Sequence, residues 1–180
     1  MEGLIIDPVK EQFDRSLQFI EELGVELKYV IDTHVHADHV TSSCMLREAT
    51  GAKSVFGEPA GIECADILLE DGDELEFGNF SLKAIVTPGH TDACTSFYTK
   101  GMLFTGDSLL IRGCGRTDFQ LGDPEKFMKV LLKNCTPIRT TPWFILVMII
   151  WDVQPHLSEG KKLLIPELAA DKRWKNLSKL

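Results

Sequence analysis

The 180-residue sequence predicts an α/β domain, helices packed on mixed β-sheet, and three observations predict it. Gly3-Leu4-Ile5-Ile6, an amphipathic stretch and Tyr29-Val30-Ile31 alternate as strand, helix, strand, the pattern that implies a parallel pair. Between Glu74 and Thr105 four short apolar runs follow one another at hairpin spacing. The residues with metal-binding chemistry fall at the ends of these runs or in loops, where a rigid scaffold presents functional groups.

Taken in order, Leu4-Ile5-Ile6 is a buried strand ended by the turn at Asp7-Pro8. From Val9 to Leu23, Phe13, Leu17 and Ile20 recur at helical spacing, and Gly24 supplies a C-terminal stop. Tyr29 to Asp32 is the second strand. A helix is expected from Val40 to Thr50 and a strand from Lys53 to Phe56. After the turn signal Asp71-Gly72-Asp73 come strands at Glu74 to Phe77, Phe80 to Thr87, Cys94 to Tyr98 and Met102 to Thr105. Leu82, Ala84 and Val86 alternate with smaller or polar neighbours, as in a half-exposed strand. Asp123-Pro124-Glu125 opens a capped helix that carries Phe127, Val130 and Leu131. No internal repeat or low-complexity segment interrupts the chain.

Composition narrows the function classes. With 44% hydrophobic and 26% charged residues the chain has ordinary globular content, so a packed core is expected. A net charge of -8 argues against nucleic acid or an anionic membrane surface as partner and leaves small molecules. The five cysteines, Cys44, Cys64, Cys94, Cys114 and Cys135, are odd in number and form no CxxC pair, so a reducing compartment is expected. Cys114 lies between two glycines, a place where a thiol could be exposed, although a small buried side chain is the expected reading. Strand residues begin almost at Met1, leaving no room for a signal peptide, and the apolar run Trp143 to Trp151 is too short to span a bilayer. A soluble protein follows.

Asp32-Thr33-His34-Val35-His36-Ala37-Asp38-His39 gathers three of the five histidines into eight residues. Strand alternation puts His34 and His36 on one face, and the following turn can bring Asp38 and His39 towards the same point. Imidazole and carboxylate together suit zinc, iron or manganese. Thr87-Pro88-Gly89-His90 adds a histidine on a tight corner, and Thr105-Gly106-Asp107 adds a carboxylate directly after an apolar strand.

THVHADH (33–39), TPGHT (87–91) and FTGD (104–107), in that order and approximate spacing, resemble the metallo-β-lactamase fold superfamily. IIDPV (5–9), HADHVTSS (36–43) and GDSLLIRGCGRTDFQ (106–120) resemble its persulfide (sulfur) dioxygenase branch, a relative of glyoxalase II. The resemblance covers about residues 3 to 135. It implies an αββα sandwich, and a mononuclear Fe(II) held by His34, His90 and Asp107, a two-histidine, one-carboxylate face with positions left for O2 and substrate. His36, Asp38 and His39 would stand beside that iron and orient water or substrate. In two-metal relatives His36 joins the first metal, Asp38 and His39 bind the second, and the equivalent of Asp107 bridges. The resemblance places Arg116, Thr117 and Asp118 by the pocket, where Arg116 either meets a carboxylate of a glutathione-like substrate or is a solvated, structural arginine; Arg112 is a weaker candidate.

The activity so implied is oxidation of glutathione persulfide by O2 to sulfite and glutathione. The alternatives are a zinc hydrolase of glutathione thioesters and an inactive product. A small thiol or persulfide is the expected partner, with room left for a homodimer, in the cytoplasm or mitochondrion.

The chain departs from the family at both ends. After the helix near Leu132 the family carries a tyrosine-proline-glycine-histidine-aspartate-tyrosine motif, whereas here Trp143 to Ile150 is an apolar run and the remaining His156 has unrelated neighbours. Codons for Trp143 to Ile150 can be chosen that spell valine followed by that motif when read two bases later. A frame change between about Asn134 and Thr141 is therefore expected, making 1–135 a partial domain and 136–180 a divergent tail. Relatives also place one or two strands before IIDPV, so an uncovered sheet edge and weak stability are expected.

Overall fold

The computed structural model of the protein describes residues 1–110 and 113–130. Arg112, Cys135, His156, the Trp143 to Trp151 run and the expected frame boundary all lie outside the described residues.

Eight strands form two four-stranded sheets. The first holds β1 (Glu2–Ile6), β2 (Glu26–Ile31), β3 (Lys53–Gly57) and β4 (Ile67–Leu69), in that order and all parallel. The second is an antiparallel meander of β5 (Glu74–Phe77), β6 (Phe80–Val86), β7 (Thr95–Thr99) and β8 (Met102–Phe104). The mixed sheet expected from the sequence thus resolves into one parallel and one antiparallel sheet. Each crossover of the first sheet needs a long connection, and each hairpin of the second needs only a turn.

The two sheets close on each other. Ile6, Ile31, Val55 and Leu69 from the first meet Leu75, Leu82, Ala84 and Phe97 from the second in one buried cluster. On the other face of the parallel sheet, Leu27, Val30, Leu46 and Ala52 pack with Ile5, Phe13 and Ile20, which seats α1 (Phe13–Glu22) and α2 (Ser43–Thr50) there. Each fully buried Val, Leu, Ile or Phe among them contributes roughly 1.5–3 kcal/mol by leaving water.

Two helix starts moved for identifiable reasons. The helix expected from Val9 begins as a 3-10 turn at Lys10–Gln12 and becomes α1 only at Phe13. The one expected from Val40 starts at Ser43, because Val40, Thr41 and Ser42 pair with the β1–α1 connection: Lys10 N–H donates to the Val40 carbonyl and Ser42 N–H to the Pro8 carbonyl. Strand β4, a three-residue run that pairs with β3 rather than with a hairpin neighbour, was not anticipated. Helix α3 (Pro124–Val130) is capped as expected: Asp123 Oδ1 accepts the N–H groups of Glu125 and Lys126 at 2.9 and 3.0 Å.

Candidate metal centre

Three strand ends deliver three donors. His34 follows β2 by three residues, His90 follows β6 by four, and Asp107 follows β8 by three, inside a 3-10 turn at Gly106–Ser108. One donor atom from each of the three can be chosen so that all lie within 4.8 Å of one another. The rings of His34 and His90 meet edge to face at 5.1 Å, and His90 Nε2 is 3.4 Å from Asp107 Oδ2. Both histidines are buried.

Two glycines permit this convergence. A Cβ at Gly106, whose φ is +48°, would strike the Thr33 side chain, so only glycine lets the Asp107 turn settle onto the β2 end. A Cβ at Gly115 would fall 2.8 Å from His90 Nδ1. Gly115 N–H also donates to the Asp107 carbonyl at 2.8 Å, tying the segment after the third donor to both partners.

Each of three rings is held through one of its nitrogens. His90 Nδ1 lies 2.8 Å from the Arg116 carbonyl, which can only accept, so this nitrogen carries the hydrogen and Nε2 keeps its lone pair for Asp107's side. His36 Nε2 lies 3.1 Å from Asp7 Oδ1, and Thr33 Oγ1 lies 2.9 Å from His34 Nδ1.

Burial governs the charge. It pushes His34 down to about 4, with the neighbouring His36 adding to the effect, so that ring is neutral and able to ligate at neutral pH. Burial raises Asp107, against the opposing pull of His90. For His36 burial works against the charged ring, but the Asp7 hydrogen bond and the charges of Asp7, Asp32 and Asp38 outweigh it and raise the value. Asp32, wholly buried, rises to about 6 because of desolvation although Ser43 and Thr41 donate to it. Two buried imidazoles, that of His34 neutral, facing an acid whose charge burial disfavours are a donor set whose balance a cation would restore, and zinc, iron or manganese fits it.

The remaining expected residues fall around this core. Asp38 and His39 do not join the first three; they group with His36, with His39 Nδ1 3.2 Å from Asp38 Oδ1, and His39 Nε2 is buried with no partner among the described residues. His36 also groups with Asp7 and Asp32. Arg116 reaches the centre through its backbone carbonyl. Its guanidinium is exposed and pairs with Asp118 through two hydrogen bonds of 2.8 and 3.0 Å. Sequence reasoning missed Asp7, Thr33 and Gly115 as parts of the site. Asp7 and Thr33 stand in quoted motifs, yet nothing local shows that they meet across 26 positions. Beside the donors opens a cavity of about 310 Å³ lined by Val35, Pro59, Ala60, Thr91, Asp92 and Leu121, among others.

The metallo-beta-lactamase superfamily model matches residues 2–137. The chain belongs to that superfamily. Within it the chain is 50% identical over 124 residues to the human mitochondrial persulfide dioxygenase ETHE1, covering 67% of this chain and 48% of that protein. It is 36% identical over 130 residues to a hydroxyacylglutathione hydrolase of Idiomarina loihiensis, covering 72% of this chain and 50% of that protein. The crystal structure of ETHE1 from Myxococcus xanthus superposes with a TM-score of 0.72 at 45% identity, over 74% of this chain and 59% of that one. The chain therefore spans about half the length of the curated relatives it matches. The sandwich expected from the resemblance is the fold the superfamily match and this superposition show. Among the described residues no helix is long and apolar enough to cross a membrane.

Proposed function

We propose that this chain carries the metal centre of a persulfide dioxygenase, which converts glutathione persulfide, O2 and water to glutathione and sulfite. The observation that carries the reading is the meeting of two imidazoles and one carboxylate in a chain 50% identical to a protein of that name. In the balanced reaction the sulfur–sulfur bond breaks, the outer sulfur gives four electrons to O2, and glutathione leaves as the thiol. One Fe(II), bound by His34, His90 and Asp107, would supply open positions at which O2 and the persulfide exchange electrons.

The protein's part is to hold and orient. His34 stays neutral, His90 offers a second imidazole nitrogen and Asp107 a carboxylate, a set that favours a divalent ion. The cavity flanked by Val35 and Thr91 would accept the body of the substrate, with Asp92 on its wall. Asp38 and His39 orient water or substrate beside His36. Arg116 meets a glutathione carboxylate by exchanging it for Asp118, at little cost because that ion pair is exposed. The location is cytoplasmic or mitochondrial.

Anaerobic purification, metal analysis and O2 uptake on glutathione persulfide test this reading. Stoichiometric iron with persulfide-dependent O2 consumption is expected; zinc with hydrolysis of a glutathione thioester and no O2 uptake overturns it. That second outcome is the competing reading, favoured by the separate His36, Asp38 and His39 group and by the likeness to hydroxyacylglutathione hydrolases. A third reading is an inactive product. It requires that the chain take up no stoichiometric metal and melt without cooperativity.

Residues 1–135 form the family domain in this proposal, and 136–180 a tail translated out of frame. That the superfamily model stops matching at residue 137 supports the boundary. The gene's nucleotides test it: they must spell the tyrosine-proline-glycine-histidine-aspartate-tyrosine motif in another frame.

A further inference from the structure

We infer that Asp7, outside the donor set, is a positioning residue that fixes which nitrogen of His34 faces the metal, acting through the hydroxyl of Thr33. The inference rests on the metal reading above, and not on which reaction the metal performs.

Asp7 follows β1 with φ at +50°, a left-handed conformation that is uncommon outside glycine, asparagine and aspartate, and it does so immediately before Pro8. Strain of this kind persists where surrounding contacts enforce it. Here three contacts do. Asp7 Oδ1 accepts Thr33 N–H at 2.7 Å and lies 3.1 Å from His36 Nε2, while Asp7 Oδ2 accepts the Thr33 hydroxyl at 2.9 Å.

Hydrogen accounting then determines the tautomers. A carboxylate has only lone pairs to offer, so Thr33 Oγ1 spends its single hydrogen on Asp7 Oδ2. At its other contact, 2.9 Å from His34 Nδ1, the hydroxyl must accept, so Nδ1 carries the hydrogen and Nε2 is left with a lone pair for the cation. The direct contact makes His36 Nε2 the protonated nitrogen in the same way. One carboxylate therefore sets two rings, the first by relay and the second by contact. The same threonine abuts Gly106, which precedes Asp107, so Asp7 and Thr33 link the ends of β1, β2 and β8.

The substitution Asp7→Asn separates relay from contact. Asparagine tolerates the left-handed backbone, and its oxygen at the Oδ1 position preserves the bonds to Thr33 N–H and His36. Its NH2 group at the Oδ2 position, however, donates to Thr33 Oγ1. The hydroxyl is then free to donate to His34 Nδ1, which moves the imidazole hydrogen to Nε2 and removes the donor.

The experiment is titration of the metal-free full chain with Zn(II) against a chromophoric chelator, with Co(II) absorption as a second readout and thermal melting of the metal-free proteins as control. Asp7→Asn and Thr33→Val are each expected to weaken Zn(II) binding by roughly 10–100-fold. The double variant is expected to lose no more than the weaker single variant, because both break one relay. Thr33→Ser, which retains the hydroxyl, is expected to bind like the unaltered chain. Equal Zn(II) affinity in Asp7→Asn and the parent overturns the inference. So does additive loss in the double variant, or a loss in Asp7→Asn matched by an equal fall in metal-free melting temperature. If the unaltered chain itself takes up no Zn(II) or Co(II), the metal reading fails instead.

Discussion

Single side chains separate here by whether water reaches them. Cys94 is buried, its sulfur within 3.4 Å of Thr91 N–H and 3.2 Å of Thr91 Oγ1, and burial raises its thiol above the ordinary value. Cys44, Cys64 and Cys114 are exposed. Brief iodoacetamide treatment of the folded protein at pH 8, read by peptide mass spectrometry, should label those three and spare Cys94 until denaturant is added. Gly115→Ala places a methyl group against His90, and a loss of roughly 1–3 kcal/mol in urea unfolding together with weaker Zn(II) binding is the expected result. That His34, His90 and Asp107 meet was legible in sequence because His34 stands in a cluster of three histidines and a carboxylate, and the other two gain force by joining it. Their supports were not, because Thr33, Gly115 and the Arg116 carbonyl act through position, and a backbone oxygen has no letter of its own.

Strands and helices were legible where an apolar run stood between turn signals or beside a hairpin partner, down to four-residue β5 and three-residue β8. The meander from β5 to β8 and the opening strand, helix, strand unit emerged nearly as expected, while three-residue β4 had no hairpin neighbour to mark it. Asp66, just before β4, does what a longer strand would do by contacts. It accepts Ser54 N–H and hydroxyl at 2.9 and 3.0 Å and holds Arg47 of α2 by two contacts. The Ser54 N–H, followed by the Ser54 hydroxyl and Arg47, keeps its carboxyl below the usual range although desolvation opposes them. A carboxyl so depressed adds stability that is present above its unfolded value and lost as pH falls through its folded value. Asp66→Asn should therefore melt lower than the parent at pH 7, with the gap closing as pH drops below about 4. Between the sheets Phe97 is wholly buried, and Phe97→Ala should cost about 3–5 kcal/mol in urea unfolding. Phe119, half exposed, should cost within about 0.5 kcal/mol when changed to alanine.

For the molecule as a whole, a cation that binds only the folded chain stabilises it by mass action. Saturation at a thousand times its dissociation constant adds about 4 kcal/mol. Differential scanning calorimetry should show the melting temperature rising with Zn(II) and returning on addition of a chelator, and a chain without a competent centre would show no such rise.

His34 comes from the parallel sheet, whereas His90 and Asp107 come from the antiparallel one. An ion seated among them is a rivet through the seam of the sandwich, and sliding of one layer against the other would pull its three anchors apart. Trimming a side chain in the apolar filling, such as Leu82→Ala, should accordingly loosen the ion's grip from a distance, so that affinity becomes a gauge of how squarely the two layers are stacked.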